Sequence, residues 1–285
     1  PPPRTTPPPT CPYTPSPRAL SLQDLPRQSS LREQITAAET HLKTLPSSEL
    51  VDSVVSASYY RVASEFYQVV GPAEKFYKHA LMYLAYTPLA TMTAADQVKW
   101  AKRVSVAALV GQGVYNFGEV LAHDCLAALR GSDAAWMLSM LEAFNRGDIA
   151  AFNAILSDNE AAVLATPALA SATAREAVKK KITLLAVVEL VFQRPAHERT
   201  ISFADIGRAI AMGVDEVEWV LMRAMSVGLI KGVIDQVNQQ LCATWVQPRI
   251  LDKSQIGSIV ERLQAWGGNV DAVVEEVGGA ELFGR

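Results

Sequence analysis

Four histidines and three cysteines are all that 285 residues offer for metal or thiol chemistry. Zinc and nucleophile sites need such residues at short, fixed spacings. His41, His79, His123 and His197 stand far apart. No pair has the HExxH spacing and none is two apart, which excludes the metallohydrolases built on those patterns. Cys11, Cys125 and Cys242 are odd in number and widely separated, the usage of reduced thiols in an intracellular compartment. The glycine-lysine signature of a phosphate-cradling P-loop is missing. Charge of one sign is missing too: 26 basic residues face 29 acidic ones, for a net charge of −3. Bulk attraction to nucleic acid or to an anionic membrane is therefore not implied. The longest apolar run, Leu184 to Phe192, is nine residues and contains Glu189, whereas a bilayer span needs roughly 20. The first residues hold no apolar stretch, so no secretory signal is expected there.

Proline is scarce in most of the chain. Ten of the 16 fall between Pro1 and Pro26. Proline fixes φ and removes a backbone donor, so residues 1–29 are expected to be a disordered or polyproline tail. The tail contains Pro12-x-x-Pro15 near Arg18, and the pairs Thr14-Pro15 and Ser16-Pro17. Such patterns arise by chance in any proline-rich stretch, and a plain tail is the simpler reading. The sequence does not start with methionine, so a processed or N-terminally truncated form is expected.

What is abundant is apolar helix. The composition is 49% hydrophobic and 19% charged, which excludes wholesale disorder. Leu31, Ile35, Ala38, Leu42 and Leu45 form one helical stripe. Further helices are expected from Val51 to Val69, from Ala73 to Ala85, and after an N-cap at Thr93 with Asp96 in the first turn. Phe117–Leu129, Ala134–Phe144 and Ile149–Leu156 continue the series, with breaks at Gly131-Ser132 and Asn145–Asp148. Lys179–Phe192 is a strongly apolar helix. The order then changes: a strand at Thr200–Phe203, helices at Ala204–Ala211 and Asp215–Val227, a cap at Gly228, and two β-branched runs at Leu229–Val237 and Leu241–Val246. That is the order of a winged helix. An amphipathic helix from Ile256 to Val277, interrupted at Gly267-Gly268, ends the chain.

The expected fold is mainly α: an α-solenoid-like helical-repeat array (residues 30–172), a winged helix (173–251), and a C-terminal helix and tail (252–285).

Three constellations bear on chemistry. His123-Asp124-Cys125 is the one His/Cys cluster, but residues two apart on a helix do not face each other, so a hydrolase dyad is disfavoured. Gly111, Gly113 and Gly118 follow a helix rather than a strand, and read as a tight turn or a close helix contact instead of a phosphate loop. The candidate recognition helix carries Asp215, Glu216 and Glu218 against Arg223, which phosphates would repel, so a nucleic-acid reader is the weaker alternative. No catalytic residue, cofactor site or metal site is expected. Two surfaces remain for other proteins. One is the hairpin, with Leu229, Ile230, Lys231, Val233, Ile234, Thr244, Trp245 and Val246. The other is the last helix, with Ile256, Ile259, Leu263 and Trp266, unless that helix folds back onto the winged helix.

The residues from Ser226 to Val237 (SVGLIKGVIDQV), together with Thr244 to Leu251 (TWVQPRIL), resemble the end of a PCI domain. Gly111–Glu119, Ala143–Gly147 and Phe192–Ala196 are similar to proteasome-lid members of that family, and the resemblance runs from about Leu31 to about Val277. It implies a non-catalytic scaffold of the 26S proteasome regulatory particle, present in cytoplasm and nucleus. Its partners would be other PCI subunits, met through a lateral contact at Leu229–Val246 and a helical bundle at Ile256–Val277. Nucleic acid, membrane and small-molecule substrates are not implied. A PCI subunit of the COP9 signalosome or of a translation initiation factor is the nearest alternative. The family carries more helical repeats where this chain has its proline tail, and the glycine-rich end at Gly278–Arg285 departs from the pattern.

Overall fold

The computed structural model describes residues 25–44, 53–195, 199–248 and 253–279. The proline-rich segment before Leu25, the punctuation at Pro46–Ser48, Arg249–Leu251 and the end from Ala280 lie outside the described residues. Twelve α-helices and three strands are described, with 3₁₀ turns at Leu89–Thr91 and Asp124–Leu129. They form two compact units. One comprises the described residues up to Val114 together with Asp124–Ala134; the other comprises Tyr115–His123 and the described residues from Ala135 onward.

The first unit holds α1 (Leu25–Thr44), α2 (Ser53–Val70), α3 (Ala73–Tyr86) and α4 (Ala94–Val110). Helix α1 begins four residues before the expected end of the tail, with Pro26 in its first turn, where no intrahelical donor is needed. Helices α2 and α3 pack across the Gly71-Pro72 turn, burying Phe66, Tyr67, Phe76, Ala80 and Leu84. The Tyr59 hydroxyl donates to the Ile35 carbonyl at 3.0 Å, tying α2 to α1. Tyr83 meets Trp100 of α4 with ring centroids 4.8 Å apart. Helix α4 starts as expected: Thr93 Oγ1 accepts from the Asp96 backbone N–H at 3.2 Å and donates to its carboxylate at 2.7 Å. The Gly111–Gly113 turn is a close approach. A Cβ on Gly113 would lie 2.6 Å from the Glu74 carboxylate at the start of α3.

The stretch Phe117–Leu129 is not one helix. It splits into α5 (Gly118–Leu121) and the 3₁₀ turn Asp124–Leu129. Phe117 and Val120 are buried in the second unit, whereas Cys125, Leu126 and Leu129 are buried in the first. No single helix serves both cores, and the His123 N–H bonds to the Val120 carbonyl at 3.0 Å, tightening the break.

The second unit continues with α6 (Ala135–Arg146), α7 (Ile149–Asp158), α8 (Glu160–Ala165) and α9 (Ala172–Gln193). Phe144 packs on Phe117 and Phe152 with centroids 5.1 and 5.5 Å apart. Helix α9 begins seven residues before the expected Lys179, capped by Ser171 Oγ accepting from the Ala174 N–H at 3.1 Å. Near its C-terminal end it is buried nearly all round, from Lys181 and Ile182 through Leu184–Glu189 to Val191.

Against that end pack β1 (Thr200–Ser202), α10 (Phe203–Ile210), α11 (Val214–Ser226), β2 (Ile230–Asp235) and β3 (Gln240–Val246). The sheet is antiparallel in the order β1-β3-β2. Leu184, Val187, Val188 and Val191 share a core with Ile201, Ile206, Val217, Leu221, Leu229, Ile230 and Leu241. This is the expected winged helix. The cap at Gly228 forms as the sequence requires: φ is +80°, Gly228 N–H bonds to Met225 O at 3.0 Å, and Leu229 N–H bonds to Ala224 O at 3.0 Å. Helix α12 (Lys253–Gly279) runs straight through Gly267-Gly268. Glycine lowers helix propensity by about 1 kcal/mol each without forbidding the conformation, so the expected interruption is absent.

Leu221 is fully buried at the centre of this core. Leu221→Ala is expected to cost about 2–5 kcal/mol through lost burial and a residual cavity. Urea denaturation of the two proteins measures the difference, and a loss below about 1 kcal/mol would contradict the assigned packing.

Candidate interaction surfaces

The wing is a hairpin with an irregular edge. Ile230 pairs with Val246 and Lys231 with Trp245, but Gly232 pairs with Ala243, so Thr244 is the extra residue of a bulge. Glycine is required here because a Cβ at 232 would sit 2.3 Å from the Cys242 carbonyl oxygen. Thr244 Oγ1 closes the bulge by donating to the Lys231 carbonyl at 3.1 Å. Lys231 Nζ lies 5.0 Å from the Trp245 ring centroid, a cation–π contact that lays the lysine over the outer sheet face. At the tip, Asn238 donates to Asp235 from its backbone N–H at 3.0 Å and from Nδ2 at 2.7 Å. Those bonds hold the Asp235 carboxyl below its usual range, the backbone bond contributing most.

The structure divides the eight expected hairpin residues. Leu229 and Ile230 are 1% exposed and Val246 is 9% exposed. They face α9 and α11 as part of the core, so their side chains are not available to a partner. Thr244 and Trp245 sit on β3, the central strand, past the residues Gln240–Cys242 that β1 pairs. Among the described residues the outer strands are β2 and the three-residue β1. Lys231 and Val233 project outward from β2, Val233 at 65% exposure, while Ile234 is half-buried.

The four expected residues of α12 are all at least partly exposed. Ile256, Leu263 and Trp266 are 49%, 60% and 65% exposed, and Ile259 is half-buried. Val260, Val270, Val273 and Val274 extend the exposed apolar surface. The helix does not fold back onto the winged helix to cover it.

Among the described residues no group of three or more His, Cys, Asp or Glu is placed to hold a metal ion. Cys125 is buried, its Sγ donates to the Gln97 carbonyl at 3.4 Å, and burial pushes the thiol above its ordinary value. That is the opposite of an activated nucleophile. Among the described residues no helix is long and apolar enough to cross a membrane. Sequence reasoning overlooked Trp219 of α11, which is 73% exposed. Its signal was present: position 219 falls off the apolar stripe of Val217, Leu221 and Ala224.

Comparison with known proteins finds two matched regions. Residues 156–245 match the PCI domain, and residues 16–141 match the family described as PSD13 N-terminal repeats. The matched PCI region contains α9 and the winged helix as far as Trp245, one residue short of the end of β3. The 26S proteasome non-ATPase regulatory subunit 13 of Dictyostelium discoideum is 39% identical over 216 residues, covering 76% of this chain and 56% of that protein. The 26S proteasome regulatory subunit RPN9 of Saccharomyces cerevisiae is 33% identical over 231 residues, covering 80% and 57%. Eukaryotic translation initiation factor 3 subunit M of Aspergillus oryzae is 25% identical over 245 residues, covering 86% and 51%. The chain thus spans little more than half the length of these relatives. The resemblance to proteasome-lid members of the PCI family is borne out.

Inside the PCI region one buried cation stands out. Lys181 of α9 is 6% exposed, with Nζ 4.9 Å from the Phe117 ring centroid and 5.6 Å from that of Tyr115. Burial lowers its pKa from 10.5 to about 7. Above pH 7 the unfolded chain therefore holds a proton that the folded chain has released, and folding is favoured as pH rises. Between roughly pH 7 and 8.5, this residue should add up to about 1.4 kcal/mol of stability per pH unit, with no contribution to the slope well below pH 7. Lys181→Met should remove that slope. Urea denaturation of both proteins across the window tests it, and identical pH dependence would contradict it.

Proposed function

We propose that the chain is a non-catalytic structural subunit of the 26S proteasome regulatory particle lid, scaffolding assembly for ubiquitin-dependent protein degradation. The observation that carries this reading is an uncovered apolar helix beside a winged helix, within a PCI domain whose relatives are named as 26S proteasome regulatory subunits. An exposed apolar stripe of this length is costly in water and fits a shared helical bundle. The open β2 edge supplies unpaired backbone groups that a neighbouring strand or loop can complete. Other PCI subunits of the lid are the partners of both surfaces, in cytoplasm and nucleus. Neither nucleic acid, membrane nor a small-molecule substrate enters the reading. Residues 30–172 act as the helical-repeat arm, 173–251 as the lateral winged-helix module and 252–285 as the bundle segment.

The relative named as a translation initiation factor subunit supports a second reading, the same scaffold role in that assembly. Affinity purification of the tagged chain from cells discriminates between them. Recovery of proteasome subunits is expected; recovery of initiation factor subunits instead, or of no proteasome subunit, would overturn the first reading. Leu263→Asp combined with Trp266→Asp is expected to reduce recovery of proteasome subunits about tenfold or more. The circular dichroism of the winged helix should be unchanged, because both side chains are exposed. Undiminished recovery would remove α12 as the docking surface.

A further inference from the structure

Helix α11 has one face in the core and one that nothing covers. Val217, Leu221 and Ala224 are buried. On the far side, Trp219 is 73% exposed and Met222 41%, and no other aromatic side chain among the described residues is as exposed as Trp219. Asp215 and Glu216 lie one turn before Trp219 on the same helix face, and Glu218 projects from the adjoining flank. Gln236 Nε2 donates to Glu218 Oε2 at 3.0 Å, which brings the wing turn against this helix. That turn contributes Asp235, held ionised by the two bonds from Asn238. Among the described residues none of these four carboxylates forms an ion pair with a lysine or arginine. Arg223, the basic residue of the helix, is exposed one turn after Trp219, so the face carries three carboxylates of α11 against one guanidinium.

An exposed indole with four carboxylates around it has a definite chemical preference. The face of a tryptophan attracts a cation, most strongly where water is displaced. Carboxylates at the rim steer and register basic groups and repel anionic ones. A purely apolar partner would strip water from the carboxylates without replacing it, and a nucleic acid would meet only repulsion. Asp215 and Glu216 also favour the helix N-terminus, but Glu218 and Asp235 lie outside that role.

We propose that the Trp219 face of α11, together with the wing turn, docks a basic segment of a partner protein. A lysine or arginine of that segment lies over the indole, and flanking basic residues meet Asp215, Glu216, Glu218 and Asp235. This surface meets β2 at its last residue, Asp235, and is otherwise distinct from the β2 edge and from the α12 stripe.

The test uses the full chain and a synthetic peptide of arginines spaced by glycine and serine, which offers no apolar side chains to α12. The five tryptophans give five indole N–H signals in a nitrogen–proton correlation spectrum, and Trp219→Phe assigns the one in question. The peptide is expected to shift the Trp219 signal at low salt, with the shift reversed by added salt. A peptide with glutamate in place of arginine should shift nothing. The combined Asp215→Asn, Glu216→Gln and Glu218→Gln variant keeps the indole and the fold, and should bind about tenfold more weakly or worse. No shift of Trp219 at low salt would overturn the proposal. So would an equal response to the glutamate peptide, or undiminished binding by the carboxamide variant.

Discussion

The burial of the C-terminal part of α9 is the constraint on which the second unit depends. From Lys181 to Val191 this helix is covered nearly all round. Helices α6 and α7 pack against it, as do α10, α11 and β3. A helix apolar on every side cannot end a domain; elements from both sides of it in the chain must enclose it. That is why the helical layers run into a winged helix without an independent linker, and why the PCI match begins before α9. The cost of this enclosure shows at Lys181, a cation kept among aromatic rings with its proton loosened by burial.

The same arrangement leaves other surfaces bare. A three-stranded sheet covered by helices on one face can satisfy its core while an edge strand and the outer face stay open. The β2 strand is such an edge, bent by the bulge at Thr244 and fixed by Gly232. Helix α12 leaves Val260, Leu263, Trp266, Val270, Val273 and Val274 exposed to solvent. A protein built only to be stable would not carry both features. Their coexistence supports the proposal that the chain is a component of something larger.

Much of this was legible in the sequence because capping chemistry is local. Thr93 with Asp96, and Gly228 after Val227, each specify a helix end by residues within one turn, and both formed as expected. The winged-helix order was legible from period changes alone. What was not legible depended on which core a side chain joins. Phe117–Leu129 has helical spacing, yet its apolar residues belong to two different cores. Leu229, Ile230 and Val246 fall on the contact surface in a sequence reading because a strand's inward and outward faces cannot be separated without its register, and the bulge shifts that register within the hairpin. Trp219 escapes such a reading because the acidic residues near it argue first against nucleic acid, and the bareness of its helix face is seen only in the folded protein.

The central claim is that the open β2 edge and the bare α12 stripe are the working surfaces of this PCI scaffold. Amide hydrogen exchange of the chain, free and within the purified 26S proteasome, tests it most directly. The account predicts that residues 230–235 and 256–274 gain about tenfold or greater protection on assembly, while amides of α10 and the buried part of α9 change little. Unchanged exchange in both segments within the assembled particle would contradict it.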